Sequence, residues 1–494
     1  MLGSRLLLVA ILVCLSVVVL VSVWKQKFRG KLPPGPNPFP FIGNYLQLNT
    51  NDIYSSITEL SKQYGPVFTI HLGPRPVVVL YGYDAVKEAL VDQAEEFSGR
   101  GEQATYNTLF KGYGVTFSSG ERAKQLRRFT ITTLRDFGVG KRGVEERIQE
   151  EAACLIKMLR GTCGAPINPF HYLSRTVSNV INSIVFGDRF DYEDKEFLSL
   201  LRMINQINRF AGSRVGQLYD MFHSVMKYLP GPQRQIIKNT QELEDFMVRK
   251  VKQNQSTLDV NSPRNFIDSF LIHIQEKKNH NSEFHIKNLV MTALNLFFAG
   301  SETVSNTLRY GFLLLMKHPD VEDPHKVHEE IDRVIGRNRQ PQFEDHLKMP
   351  YTEAVINEIQ RCANFTPLGI PRKTIKTTSF RGFLLPEGTE VFPILGSLMT
   401  DPKFFPSPQN FNPQNFLDER GQLKKIDAFV PFSIGKRFCL GDNLARMELF
   451  LFLTNILQNF QLKFPKKLED IDESPKPLGF TRIIPNYTMS FLPI

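Results

Sequence analysis

The chain of 494 residues has one tryptophan, and its five cysteines, Cys14, Cys154, Cys163, Cys362 and Cys439, include no close pair. That excludes a Cys-x-x-Cys redox motif and the usual spacings of a zinc site, and an odd, scattered set is not a disulfide framework. A reducing compartment follows. Also absent are an internal repeat, a low-complexity block and a linker after Lys31 that would divide the chain into separate cores. No Arg-rich arm or basic-aromatic stretch accompanies a nucleic-acid fold, so the net charge of +10 suits an acidic protein or an anionic membrane better than nucleic acid. Apolar content of 42% with 22% charged residues is that of a packed protein. Length alone would permit about three domains; one large mixed domain is the simplest account.

Charge is missing altogether from Leu6 to Trp24, a run long enough to cross a bilayer as a helix. It exceeds the apolar core of a cleaved signal and lacks a small-x-small cleavage site, so residues 1–30 are expected to be a retained anchor and 31–494 the working domain. Arg5 precedes the run, whereas Lys25, Lys27, Arg29 and Lys31 follow it, which puts the domain in the cytosol. The glycosylation sequons at Asn254, Asn364 and Asn486 are then chance matches. A proline-rich hinge, Leu32-Pro33-Pro34-Gly35-Pro36, comes next.

Val67–Leu72 and Val77–Leu80, joined at Gly73-Pro74, read as a hairpin, and a second is expected over Phe380–Ile394 with its turn at Pro386-Glu387-Gly388. Helical periodicity covers Asp84–Asp92, Arg142–Leu159, Ser174–Ile184, Gln241–Val251, Ile286–Lys317, Lys326–Ile335 and Tyr351–Arg361. The fold class is mainly α with small β-sheets.

Taken singly, each cysteine is a small packing residue. Cys439 differs because Phe432-Ser433-Ile434-Gly435-Lys436-Arg437-Phe438-Cys439-Leu440-Gly441 sets it between glycines, beside an arginine and before the helix-like run Leu444–Leu453. A cation, a metal and a helix N-terminus each favour the thiolate. Gly435 and Gly441 would let the backbone approach a flat ligand, Arg437 could pair with its carboxylate, and Phe432 could shield the sulfur. Five specified positions recur by chance in roughly one in ten thousand chains of this length. In a second segment, Asn295, Ala299 and Thr303 are spaced by four on one helix face beside Gly300 and Glu302. Gly300 is unfavourable in a helix, which suggests space kept for a ligand. On its own, Thr303 would simply bond back to its helix.

Together these segments resemble the cytochrome P450 family: Phe-x-x-Gly-x-Arg-x-Cys-x-Gly is its haem-ligand signature, and Ala299-Gly300-Ser301-Glu302-Thr303 is similar to its distal-helix motif. The whole chain looks like a microsomal family 2 member, similar to subfamily A, the coumarin and steroid hydroxylases. The resemblance implies haem b with Cys439 as axial thiolate, electrons from NADPH through cytochrome P450 reductase, cytochrome b5 as a second redox partner, and the cytosolic face of the endoplasmic reticulum membrane. It implies proton relay by Thr303 and Glu302, and propionate contacts from Arg100, Arg127 and Arg372 as well as Arg437. Tyr106, Phe110, Phe117, Asn208, Asn295, Phe298, Ala299, Thr366, Ile370 and Phe480 would line the pocket. Arg122, Arg128, Arg135, Lys436 and Arg446 would form the reductase-docking face. Glu358 and Arg361 would be the family's buried structural pair.

Three positions depart from the family pattern. Ala123 replaces a tryptophan and Asn415 an arginine or histidine of the structural brace, while Asp323-Pro324-His325 alters a helix start. Asn208 and Thr366 are smaller and more polar than in coumarin hydroxylases, which favours a steroid such as testosterone. Two rivals are a haem-thiolate isomerase or dehydratase working without external electrons, which the intact Glu302-Thr303 pair opposes, and a membrane-bound haem sensor, which needs no such pair.

Overall fold

The computed structural model describes residue 16 and residues 32–139, 142–276, 282–318, 323–465, 472–479 and 481–494. Nearly all of the expected anchor, and Phe480, lie outside the described residues. Among the described residues no helix is long and apolar enough to cross a membrane.

The principal helices are α1 (Ile53–Tyr64), α2 (Ala104–Phe110), α3 (Gly120–Asp136), α4 (Arg142–Gly161), α5 (Pro169–Val185), α6 (Lys195–Gly212) and α7 (Arg214–Met221). They continue with α8 (Gln233–Ser256), α9 (Phe266–Glu276), α10 (Ile286–Lys317), α11 (Asp323–Val334), α12 (Pro350–Ala363) and α13 (Asp442–Asn459). A five-stranded sheet has the order β1-β2-β7-β4-β3, built from β1 (Val67–Leu72), β2 (Arg75–Leu80), β3 (Gly99–Arg100), β4 (Arg372–Lys373) and β7 (Glu390–Pro393). The intervening β5 (Thr378–Phe380) and β6 (Phe383–Leu385) pair only with each other.

The β1–β2 hairpin forms where the alternation places it, with Val67 opposite Leu80. Its two faces divide the core. Phe68, Ile70, Val77 and Val79 pack with Ile57 of α1, whereas Val67, Val78 and Leu80 join the large helical core, as the period of two requires. The second hairpin differs from expectation. It closes at Arg381-Gly382, both at positive φ (48° and 82°), a turn conformation suited to a tight hairpin. Pro386-Glu387-Gly388 instead leads the chain into β7, parallel to β2.

Two helices carry the centre. α10 begins where His285 caps it, its ring accepting from Asn288 N, and it runs over the full expected span. α13 is buried almost all round from Leu449 to Gln458, the mark of a helix inside a large core. Fully buried rings such as Phe297, Phe312 and Phe450 each contribute about 1.5–3 kcal/mol by leaving water. Two sequons are explained as well: Asn254 bonds Asn265 and Asp268 in the interior, and Asn364 is buried at the end of α12.

Candidate haem site

The cysteine loop is fixed by backbone contacts. Cys439 N donates to Phe432 O at 2.8 Å, closing the loop just before α13. Gly435 lies at φ +75°, and a Cβ there would stand 1.7 Å from Leu90 O, in the π-helical turn Glu88–Asp92. A neighbouring protein backbone by itself therefore demands glycine here. At Gly441 a Cβ would have only the Cys439 sulfur near it, at 4.0 Å. Burial pushes the Cys439 thiol up, while the Gly441 N–H and Arg127 pull it down. The thiol is deep in the fold yet its side chain stays accessible, so it borders internal space rather than a packed wall.

Around the loop stand four arginines. Arg437 donates to Thr116 O (2.8 Å) and Ser118 O (3.0 Å), Arg100 Nε to Thr116 O (2.8 Å), and Arg127 to Phe438 O (2.7 Å) while covering the Phe438 ring. The strand register sets Arg100 directly opposite Arg372. Like charges so placed repel. None of the four forms an ion pair with a carboxylate among the described residues, and Arg100 Nη1 and Arg372 Nε have no partner. Burial and the neighbouring guanidinium groups push Arg372 down to about 9, Arg437 to about 10, and Arg100 well below its ordinary value. Such a set calls for anions from outside the chain, and the two carboxylates of a haem fit it.

Thr116 joins this cradle to α10, because its N–H donates to Asn295 Oδ1 at 3.0 Å. One and two turns on, Ala299 and Thr303 are accessible although the helix is otherwise mostly interior, so this face borders internal space too. Thr303 Oγ1 donates to Ala299 O at 3.0 Å, the local bond expected of the residue by itself. Gly300 does not keep space for a ligand. Its hydrogen lies where a Cβ would meet Ile181 Cγ1 of α5 at 2.9 Å, so the glycine serves helix packing. Glu302 points elsewhere: it is buried and accepts from Asn205 and Asn208 of α6, and burial pushes its carboxyl up.

Of the expected pocket walls, four rings assemble. Tyr106 stacks on Phe117 (5.3 Å), Phe110 stacks on Phe117 (4.9 Å), and both meet Phe298 edge-on. Asn208 and Asn295 supply polar groups, although Asn208 is engaged at both ends, by Tyr106 and by Glu302. Thr366 and Ile370 are exposed on the segment before β4.

Glu358 and Arg361 pair in full burial, with Nε to Oε2 and Nη2 to Oε1 both at 2.7 Å. Arg361 also donates to the carbonyls of Met399, Pro408 and Asn410. Asn415 Nδ2 donates to Glu358 Oε1 at 3.2 Å, joined by Asn412 N, so the brace is completed with an amide where relatives would use a cation. The basic face is less open than the sequence suggests. Arg122 is committed to Glu283 and the Tyr113 ring, Lys436 to Glu95, and Arg446 lies over Phe432, while Arg128 and Arg135 are exposed.

Sequence reasoning missed Thr116 and Asn205. Thr116 acts through its backbone, which leaves no side-chain signature; Asn205 stands three before Asn208, a spacing that put both on one face.

The cytochrome P450 family model matches residues 33–491. The chain is 84% identical to cytochrome P450 2A9 of Mesocricetus auratus, and 81% identical both to cytochrome P450 2A12 of Mus musculus and to cytochrome P450 2A1 of Rattus norvegicus. Each similarity extends over the whole of both chains.

Proposed function

The chain belongs to the cytochrome P450 family, and from that premise we propose that it hydroxylates lipophilic molecules bearing oxygen, with steroids such as testosterone ahead of small lactones such as coumarin. It is a haem-thiolate monooxygenase of small lipophilic substrates, supplied with electrons from NADPH through a reductase. The observation that carries the reading is the set of Arg100, Arg127, Arg372 and Arg437, none in an ion pair among the described residues, around a deep, accessible thiol. Once bound, the haem supplies oxygen activation, to which a thiolate ligand adds electron density that favours O–O cleavage.

The protein's own groups do the rest. Cys439 would ligate the haem iron and the four arginines would pair with its carboxylates, with Phe432, Gly435, Gly441 and Ala299 shaping the surroundings. The Thr303 hydroxyl can exchange its bond to Ala299 O for one to a bound molecule, and Glu302, next in the chain but turned toward Asn205 and Asn208, is the proton reservoir. Tyr106, Phe110, Phe117 and Phe298 form an apolar box that excludes water and orients the target carbon. Glu358 and Arg361 act in folding. Residues 1–30 anchor the chain in the endoplasmic reticulum membrane with its catalytic part in the cytosol, where Arg128 and Arg135 help dock the reductase and cytochrome b5.

The test is turnover of testosterone and coumarin by the full chain with reductase. NADPH-dependent hydroxylation of testosterone at the higher kcat/KM is expected. Products formed without NADPH or reductase would favour the isomerase reading, and a preference for coumarin would reverse the substrate assignment.

A further inference from the structure

Glu302 adjoins Thr303 in sequence but faces a different way. Adjacent positions are about 100° apart around a helix, so its carboxylate leaves the accessible face of α10 and turns to α6. There Asn205 Nδ2 donates to Oε1 at 3.1 Å and Asn208 Nδ2 to Oε2 at 3.3 Å. Three residues apart, the two amides share one face of α6 and serve one oxygen each. Among the described residues no cation is hydrogen-bonded to this carboxylate. Arg209 of α6 and Arg309 of α10 act on it through space, as it acts on the Tyr106 hydroxyl of α2. Neutral amides orient a buried carboxylate, yet exchange partners more readily than a bidentate guanidinium would.

Asn208 also reaches the ring box. Tyr106 Oη donates to its Oδ1 at 3.1 Å, and the Tyr106 ring stacks on Phe117. One amide therefore links the pocket wall to the acid.

We infer that Asn205 and Asn208 form a positioning clamp through which a bound molecule controls Glu302. Asn205 is the fixed arm; Asn208 is the arm that a ligand carbonyl or hydroxyl oxygen draws away by accepting its N–H. Resting on the monooxygenase reading, this deepens it: the preferred ligand is lipophilic with an oxygen acceptor at the end that meets Tyr106 and Asn208. With Asn208 drawn away, the carboxylate keeps one donor, binds its proton more firmly and is free to turn toward Thr303. A molecule without such an oxygen leaves the clamp shut.

The experiment is an infrared titration of the haem-loaded full chain without turnover, with the Glu302 carboxyl band identified by its loss in Glu302→Gln. Donors to the ionised form lower a carboxyl's midpoint, so losing one raises it. Asn205→Ala and Asn208→Ala are each expected to raise it by about one pH unit. Testosterone, its occupancy verified by the Soret shift, raises the wild-type midpoint as far as Asn208→Ala does and adds nothing in that variant. 5α-Androstane, the same skeleton without oxygen, leaves it in place. As a second readout, Asn205→Ala diverts several-fold more NADPH electrons to hydrogen peroxide with an unchanged carbon monoxide spectrum; Asn205→Gln, should the alanine variant not load haem, gives both effects at smaller size. A midpoint indifferent to both alanine variants overturns the clamp, and androstane acting like testosterone overturns control by the ligand's oxygen. A wild-type protein without the thiolate–carbon monoxide band would sink the monooxygenase reading instead, and is read separately.

Discussion

Two clusters of buried charge in this protein have opposite characters. At the Glu358–Arg361 brace every guanidinium nitrogen of Arg361 finds an acceptor, and Glu358 Oε1 by itself accepts from Arg361, Asn412 and Asn415. Around the cysteine loop, Arg100, Arg127, Arg372 and Arg437 crowd one another, and among the described residues no acid is paired to them and two of their N–H groups are unpartnered. The first cluster is complete within the chain and belongs to folding. The second costs stability unless something anionic is added, which is what distinguishes a binding site from a strut.

Breaking the complete cluster has the largest expected effect. Glu358→Ala leaves Arg361 buried without its counter-charge, and should cost about 3–5 kcal/mol, read as loss of haem-loaded protein and a collapsed thermal transition. Arg372→Gln sharpens the contrast, because its effect should change sign with loading. The haem-free chain should melt higher through relief of repulsion with Arg100 and Arg437, while the loaded protein should release haem about tenfold faster for want of a charge-assisted bond. If Arg372→Gln destabilised both forms, the arginines would be structural after all.

Smaller still is Asn415→Ala, expected to cost about 1 kcal/mol in chemical denaturation as one hydrogen bond of the brace is lost. Glu448 offers a third kind of buried ionisable group: it is fully enclosed, its Oε1 is unpaired among the described residues, and burial pushes its carboxyl well above the ordinary 4.5. The fold therefore binds this proton more tightly than the unfolded chain does, and stability is lost as pH rises from about 4.5 upward. Glu448→Gln should remove that share of the slope in unfolding measured across pH, and an unchanged slope would assign it to other groups.

What the sequence revealed follows from which physics is local. α10 was legible to both ends because its apolar repeat is long and capped. α6 was not anticipated, although Phe197, Leu200, Leu201, Ile204 and Ile207 have helical spacing, and nothing local signals that Asn205 turns inward to Glu302. β7 could not be placed from its own residues, since a buried strand does not announce its partner. Two glycines show the same limit: Gly300 and Gly435 answer to Ile181 and Leu90, far away in the chain, which no local pattern announces. The signature around Cys439 was readable because its residues are consecutive. The arginine cradle gathers from positions 100 to 437, and only the fold reveals that none of its members is paired with an acid among the described residues.

The central claim is that this cradle and Cys439 hold a haem through a thiolate. It is tested most directly by reducing the purified full chain and adding carbon monoxide, alongside Cys439→Ala. The predicted result is the red-shifted Soret band of a thiolate-ligated haem in the wild type and its disappearance in the variant; a wild type without that band, or a variant that keeps it, would contradict the assignment.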